Sequence, residues 1–308
     1  MTTRRFSIVM VAVLAGIAAS RLCLAQPASE SPVTPIPDLL AMDVADLRHP
    51  VLPESQIHVE PTWNSQQTVG RALSLKRAVL WGGVTAGAGF YAFEQSQASW
   101  GMSTGKFHFK DDLHDGLAMS DESSHLFSSY QLTRALFTGY SWTGLSNRAA
   151  RRLAALHAWL WTFSVEYPID AYNPTQGFGI SDMVANTLGV IAAYEHTRPG
   201  PDWWDIKISI KSSFFADGSR LVAYTNEQYD DFIYWLTVRP SRSRYLPVWL
   251  GAGYATAHHQ WPHVDKELHL GVGTTIDELV GLISPAAAHY LRPTNAIFLN
   301  LNTKIVWR

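Results

Sequence analysis

Cysteine and charge are both scarce in this chain. Its 308 residues include a single cysteine, Cys23, so a framework of disulfide bonds is excluded. Charged residues make up 16% of the chain, and the formal net charge is −2. This balance argues against nucleic-acid binding, which requires a basic surplus. No segment clearly reaches the roughly 20 uninterrupted apolar residues of a transmembrane helix.

Two familiar motifs are absent as well. The sequence contains no HExxH and no glycine-rich phosphate loop ending in Lys-Ser or Lys-Thr, which removes the common zinc-protease and nucleotide-binding patterns. Aromatic residues, by contrast, are plentiful, with 12 Trp, 12 Tyr and 13 Phe. Such a composition is typical of proteins that meet a membrane interface, and equally of proteins with a large aromatic core.

The first 25 residues predict a cleaved export signal. Two arginines precede an apolar run of signal-peptide length, and Cys23-Leu24-Ala25 supplies a signal-peptidase site. Residues 20–22 do not form a lipobox, so we expect cleavage after Ala25 and no acyl group on Cys23. Residues 26–70 contain repeated prolines and are expected to form an extended tether. We therefore expect an exported protein, in the periplasm or associated with the outer membrane.

Hydrophobic periodicity divides the rest of the chain in two. Residues 71–198 show helical spacing, in the segments LKRAVLWGGVTAGAGFYAFEQ, DESSHLFSSYQLTRALFTG, NRAARRLAALHAWLWTFSVE and SDMVANTLGVIAAYEH. Residues 199–308 show the alternation of antiparallel strands with one covered face. We therefore predict an α+β fold, with an N-terminal helical bundle of about four helices followed by an antiparallel β region of about five strands.

The fourth helical segment carries polar residues where an apolar helix is expected. At 100° per residue, Asp182, Asn186 and Gly189 share one narrow stripe. The second segment repeats the arrangement with Asp121 and His125. Because small residues let helices approach closely, we expect the two stripes to face each other. A carboxylate without a partner would be costly in apolar surroundings, so we expect His125 to contact Asp182.

Two further acids, Glu166 and Asp170, are expected at the same end of the bundle. Acids that are crowded in an apolar setting have perturbed pKa values, as in acid–base catalysis or cation binding. The candidate catalytic residues are Asp121, His125, Glu166 and Asp182. The candidate binding residues are Asp112, Asp170, Ser181, Asn186 and Gly189.

Each candidate also has a purely structural interpretation. Ser181 is expected to cap the fourth helix, and Asp182 then favours the helix dipole from the first turn. Asn186 could only bridge two helices, and His125 could be a hydrogen-bonded core histidine. Glu166 could pair with Arg152 on the same helix.

Metal sites have weak support in the sequence. The segment HHQWPHVD contains His258, His259, His263 and Asp265, but their spacing is not that of a closed zinc site. The segment FHFKDDLHD, with Asp111 and Asp112, is either a solvated loop or part of the cleft. No cofactor is expected, and a divalent cation at the acidic cluster is left open.

Several segments resemble a known family. FHFKDD, MSDESSH, GFGISDMVANTLG, YDDFIYWLT and LPVWLGAGYA occur in this order, and through them the chain from about Leu75 to its end resembles an uncharacterised family of predicted periplasmic lipoproteins typified by YfiM. The resemblance implies an envelope location and a bundle plus strands. It implies no reaction, because the family has a domain of unknown function.

A second, fainter resemblance is to two motifs of VanZ-like membrane proteins. Asp121 and His125 match the first motif, and Asp182, Asn186 and Gly189 match the second. This chain departs from those proteins in two places. It has a glutamate at position 122, where they have a lysine, and their Glu-x-x-Asp before the last helix is stretched to Glu166-x-x-x-Asp170.

Two classes of function fit these patterns. In the first, the polar cleft binds or assembles an envelope component, which would be a lipid, a glycan or an outer-membrane partner. In the second, the protein is a hydrolase or transferase acting on an envelope lipid or glycan. His125 would then be the base, oriented by Asp121, with Asp182 and Glu166 as acid or cation ligands. The absence of a recognisable nucleophile favours the binding role. The expected partner is the envelope membrane or one of its components, and not nucleic acid.

Overall fold

A computed structural model describes residues 73–111, 116–200, 202–211, 226–241, 246–259 and 263–307. The expected signal peptide, the proline-rich tether and Asp112 lie outside the described residues. Long helices occupy the N-terminal half of the described chain, and a five-stranded antiparallel sheet occupies the C-terminal half. The predicted α+β fold is therefore confirmed.

Four long helices follow the four predicted segments. They are α1 (Leu75–Trp100), α2 (Ser120–Trp142), α3 (Asn147–Ser164) and α4 (Ile180–His196). The side chains of Ser74 and Ser146 accept hydrogen bonds from the backbone amides of Arg77 and Ala149, which caps α1 and α3. A π-helical turn, Val165–Asp170, follows α3. No helix among the described residues has both the length and the apolar character needed to cross a membrane.

The contact between α2 and α4 is close because α4 has a glycine there. A Cβ atom on Gly189 would lie 2.1 Å from Ser129 Oγ and 2.3 Å from the carbonyl oxygen of Leu126. Any side chain at this position would therefore push the two helices apart. The expectation that small residues permit close helix packing is met at this contact.

The five strands pair in chain order, and every pair is antiparallel. They are β1 (Trp204–Ile210), β2 (Phe232–Val238), β3 (Trp249–His258), β4 (Val264–Thr274) and β5 (Leu299–Trp307). A 3₁₀ turn, Asn226–Asp231, precedes β2. Two short helices, α5 (Ile276–Gly281) and α6 (Pro285–Leu291), and the 3₁₀ turn Arg292–Ala296 lie between β4 and β5.

An apolar core joins the helices to the first two strands. Phe127 and Tyr130 of α2 and Ala193 of α4 belong to one buried cluster with Ile206 of β1 and Tyr234 of β2. The helical half therefore packs on one side of β1 and β2. This contact fixes the position of α2 and α4 relative to the sheet.

A buried carboxylate, Asp205 on β1, reinforces this junction. Its Oδ1 accepts hydrogen bonds from Tyr130 Oη at 2.7 Å and from Arg134 Nη1 at 3.1 Å, both on α2. Its Oδ2 accepts a hydrogen bond from Lys207 Nζ at 2.7 Å. Burial alone would raise the pKa of Asp205, but Lys207 and Arg134 outweigh it and hold that pKa below its usual value. Because a buried charge needs such partners, this group ties α2 to β1.

Strand β1 corrects the expectation of a single covered face. Lys207 and Ser209, which alternate with isoleucines, are as buried as Ile206 and Ile208. Lys207 Nζ can be buried because Asp205 and the carbonyl oxygen of Asn295, 2.8 Å away, accept its hydrogen bonds. Periodicity located the strand, but it could not identify partners that are distant in sequence.

Two glycine-to-alanine substitutions test the helix contact. Gly189→Ala should destabilise the protein by about 1–3 kcal/mol, because its methyl group would overlap atoms of α2. Gly87→Ala is the matched control: it lies in α1, and nothing is found within 4 Å of the position of its added Cβ. That substitution should stabilise α1 by up to about 1 kcal/mol. Urea unfolding followed by circular dichroism compares the two, and equal effects would contradict the close contact.

Candidate functional site

The side chain of His125 on α2 is surrounded by oxygen atoms of four candidate residues. Its Nε2 lies 3.5 Å from Asp121 Oδ1 and 3.9 Å from Asp182 Oδ1. Its Nδ1 lies 3.3 Å from Asn186 Oδ1 and 3.6 Å from Glu166 Oε1. The structure thus brings together the two polar stripes, as the helical periodicity predicted, and Glu166, which was expected at the same end of the bundle. We call Lys110, Asp121, His125, Glu166 and Asp182 the polar cluster.

Lys110 is the member of the polar cluster that sequence analysis missed. Its Nζ lies 2.8 Å from Asp121 Oδ2 and 3.5 Å from Asp182 Oδ2. It is therefore closer to Asp182 than His125 is, although His125 was the predicted partner. A bridge between Phe109 and Phe178 places this segment beside the start of α4. The signal was in the FHFKDD segment, where Lys110 directly precedes the two acids.

A second missed residue comes from the other half of the chain. Tyr229, in the 3₁₀ turn before β2, donates a hydrogen bond to Asp121 Oδ1 at 2.6 Å. The carboxylate of Asp121 is therefore held by a lysine, a tyrosine and a histidine. The segment YDDFIYWLT contains Tyr229, but nothing in its pattern indicated a contact with α2.

Two members of the polar cluster are charged because they stabilise each other. Burial alone would raise the pKa of Asp121, but His125 and then Lys110 lower it far below its usual value. Burial alone would lower the pKa of His125, but Asp121, followed by Asp182 and Glu166, raises it well above the usual value. At neutral pH, His125 is therefore an imidazolium and Asp121 a carboxylate.

Glu166 and Asp170 behave differently. Burial raises the pKa of Glu166 to about 8 and that of Asp170 to about 7. Glu166 Oε2 accepts a hydrogen bond from the amide of Gly179 at 3.3 Å. Among the described residues, Glu166 Oε1 and Asp170 Oδ1 have no hydrogen-bond partner. Glu166 is buried and Asp170 is half-buried. Carboxyl groups whose pKa values lie near neutrality, with oxygen atoms available, are a feature of functional sites.

The predicted cap of α4 is wrong. The helix begins at Ile180, and Gly179 precedes it without a side-chain cap. Ser181 instead donates a hydrogen bond to Glu122 Oε1 at 2.9 Å, because its side chain points across to α2. Glu166 also does not pair with Arg152, since its carboxylate faces Gly179 and His125.

A serine motif was overlooked in the sequence. Residues 101–105 read GMSTG, which has the GxSxG spacing. In α/β-hydrolases this serine lies on a sharp turn between a strand and a helix. Here the motif follows α1 in a loop, and Ser103 Oγ donates a hydrogen bond to the carbonyl oxygen of Ile169 at 2.6 Å. The structure therefore does not place Ser103 as a nucleophile activated by His125.

One group among the described residues has the spacing of a metal site. Ligand atoms of Asp121, His125 and Asp182 lie within 4.8 Å of one another. Lys110 already places a cationic nitrogen at both carboxylates, so a metal ion would compete with it. Two of the three histidines of the HHQWPHVD segment pair with separate acids: His258 with Asp230 at 2.7 Å, and His259 with Asp265 at 2.9 Å.

The comparisons with known proteins bear on this same part of the chain. Residues 108–197 match one family model. It is the model described as "Predicted periplasmic lipoprotein (DUF2279)". The matched segment contains the whole polar cluster, together with Asp112, Asp170, Ser181, Asn186 and Gly189. No curated protein and no solved structure matches the chain.

The family match confirms the resemblance to predicted periplasmic lipoproteins and agrees with an exported, periplasmic or membrane-associated location. It assigns no reaction. The family description names a lipoprotein, whereas the residues before Cys23 do not form a lipobox. That segment lies outside the described residues, so the absence of an acyl group stays a prediction.

Removing the Asp182 carboxylate should destabilise the protein strongly. In Asp182→Ala, Lys110 and His125 would lose one of the negative charges that compensate them, and we expect a loss of about 3 kcal/mol in the free energy of unfolding. Glu195→Ala is the control, because Glu195 is an exposed residue of α4 that pairs with Arg198; it should cost at most about 1 kcal/mol. Equal losses in urea unfolding would show that Asp182 is a solvent-facing helix residue.

The raised pKa of Glu166 predicts a specific pH dependence. Its native pKa of about 8 lies above the ordinary 4.5, so the native state keeps a proton that the unfolded state has lost. The contribution of Glu166 to the free energy of unfolding must therefore fall as the pH rises from 4.5 to 8, and it is constant outside that window. Glu166→Gln lacks it, so the variant should gain stability relative to wild type over this range. If the unfolding free energies of wild type and Glu166→Gln change in parallel from pH 5 to pH 8, Glu166 is not protonated in the native state at neutral pH.

Proposed function

We propose that this protein binds an amphiphilic component of the bacterial envelope, either a lipid or a lipid-linked glycan. The polar cluster would contact its head group, and exposed aromatic rings beside the cluster would contact its apolar part. The envelope membrane would then be the partner from which the ligand comes.

A continuous series of aromatic rings supports the apolar half of this proposal. Centroid distances are 5.9 Å from Tyr167 to Tyr172, 6.0 Å from Tyr172 to Phe107, 5.1 Å from Phe107 to Phe109, and 5.9 Å from Phe109 to Phe178. Phe107, Phe109 and Tyr167 are exposed. Several large rings that remain exposed together indicate a binding surface more than a core.

The attachment of these rings to the polar cluster is the observation that carries the proposal. Phe109 directly precedes Lys110, which bonds to Asp121. Phe178 directly precedes Gly179, whose amide bonds to Glu166. The two short segments that present exposed rings therefore also hold the polar cluster. A ligand with adjoining polar and apolar parts would match this arrangement.

The exposed fractions indicate the kind of head group. The side chain of His125 is 24% exposed and that of Lys110 is 15% exposed, whereas those of Asp182 and Glu166 are 5% and 2% exposed. The two cations are thus the members most accessible to a ligand. Both can donate charge-assisted hydrogen bonds to a phosphate or a carboxylate. An anionic head group therefore fits better than a cationic one.

The outer surface of α4 supports membrane association. Ile180, Val184, Leu188 and Ile191 recur at helical spacing and are each more than half exposed. They lie on the side of the helix away from Asp182 and Asn186. An apolar stripe of this kind is typical of a helix that contacts a membrane or another protein.

A second candidate function is acid–base catalysis on an envelope lipid or glycan. It is favoured by the pKa values of about 8 for Glu166 and about 7 for Asp170, because groups that titrate near the working pH transfer protons best. Since His125 is an imidazolium, it would not be the base that the sequence suggested. His125 or the protonated Glu166 would serve as the acid, and Asp170 as the base. Among the described residues, no serine, threonine or cysteine hydrogen-bonds to His125, so water would have to be the nucleophile.

Mass spectrometry of co-purifying lipids and glycans tests the binding function. Full-length wild type and Glu195→Ala, purified from a bacterial envelope in mild detergent, should carry the same amphiphile. His125→Ala should carry at least about tenfold less of this amphiphile, because it loses a charge-assisted contact worth about 1.5–3 kcal/mol. Identical lipid and glycan profiles for all three proteins would overturn the proposal. Turnover of the bound molecule by wild type but not by Glu166→Gln would favour the enzyme instead.

A further inference from the structure

Strand β4 is apolar outside and polar inside. Leu268, Leu270 and Val272 are exposed, at 37%, 49% and 44%, while the alternate residues Glu267 and His269 are only 3% and 4% exposed. In a sheet with one covered face, the apolar residues are normally the covered ones. The usual arrangement is therefore reversed in this strand.

The inward polar residues satisfy one another. Glu267 accepts hydrogen bonds from Lys211 at 2.8 Å and from Lys304 at 2.5 Å, and it lies 3.1 Å from His269 Nε2. His269 Nδ1 in turn lies 2.9 Å from Asn302 Oδ1. The inner face is thus a connected network that can stay buried. The observed orientation of the sheet, with these polar residues inside, therefore leaves none of their charges uncompensated.

The apolar face extends over three strands. Leu250, Val272 and Leu301 lie side by side on β3, β4 and β5, and so do Leu268 and Ile305 on β4 and β5. The first three are 45%, 44% and 81% exposed. Helices cover this side of the sheet at β1 and β2, through Phe127 and Tyr130. We call Leu250, Leu268, Leu270, Val272, Leu301 and Ile305 the apolar sheet face.

The residues at one end of this face indicate what covers it. Lys266 pairs with Trp307 at that end, and the Tyr254 ring lies 6.5 Å from the Trp307 ring. Lys266 is the one charged residue that β4 and β5 place on this side. The Tyr254 hydroxyl is bonded to the carbonyl oxygen of Ala118, which leaves Trp307 and Lys266 at the border. Tryptophan and lysine at the border of an uncharged apolar surface are typical of the interface between water and lipid. The positive charge also complements anionic lipid head groups.

We propose that the apolar sheet face lies against the hydrocarbon of a lipid bilayer, with Lys266 and Trp307 at the level of the head groups. Burial in lipid removes six large side chains from water, which the reversed orientation of the strand otherwise leaves exposed. The proposal is independent of the proposed ligand, because the apolar sheet face and the polar cluster share no residue.

Vesicle flotation of the full-length protein tests this inference, with vesicles of phosphatidylethanolamine and phosphatidylglycerol. The triple variant Leu270→Thr, Val272→Thr, Leu301→Thr should lower the partition coefficient by about tenfold or more. Threonine favours strands, and these side chains point away from the polar network, so the sheet should be retained. The thermal unfolding transition of each variant checks that it is folded.

A matched pair of single variants within β5 keeps the test decisive if the triple variant fails to fold. Leu301→Thr removes a residue of the apolar sheet face and should reduce partitioning several-fold. Val306→Thr changes an exposed residue on the opposite side of the same strand, 45% exposed, and should leave partitioning unchanged. Equal partitioning of the two variants would overturn the proposal. So would a dimer in vesicle-free solution that Leu301→Thr dissociates, because the face would then be covered by a second copy of the chain.

Discussion

The close contact between α2 and α4 determines where the polar groups of this protein lie. Gly189 lets α4 approach α2 until Asp182 and Asn186 reach the His125 side chain. With a larger residue at position 189, the helices would separate and these groups would meet water instead. The polar cluster therefore depends on a packing constraint at a residue that carries no functional group.

Helical periodicity was sufficient to predict three of the five residues of the polar cluster, together with Asn186 beside them. Asp121 and His125 are four residues apart on α2, as are Asp182 and Asn186 on α4, so each pair must share a face. The small residues beside them indicated that these faces would meet. The α+β division was equally accessible, because the repeat of apolar residues changes from helical to alternating at about residue 200.

The remaining contacts could not be predicted, because they come from segments without periodicity. Lys110 reaches Asp121 from a loop that precedes α2, and Tyr229 reaches it from beyond the sheet's first strand. Ser181 had the sequence position of a helix cap, but its hydroxyl donates a hydrogen bond to Glu122 on the neighbouring helix. The orientation of β4 was hidden for a related reason. Alternation gives two faces, and only the partners of Glu267 and His269 show which one is buried.

Charge balance explains why the polar cluster can persist in apolar surroundings. Lys110 and His125 carry two positive charges, and Asp121 and Asp182 carry the two negative charges that face them. Glu166 would add a third negative charge, but its pKa of about 8 keeps it protonated at neutral pH. The proton on Glu166 therefore takes the place of a third cation. An anionic ligand that enters beside His125 adds a negative charge, which must be balanced in the same way. Asp170, with a pKa of about 7, is the group in position to balance this charge by taking up a proton.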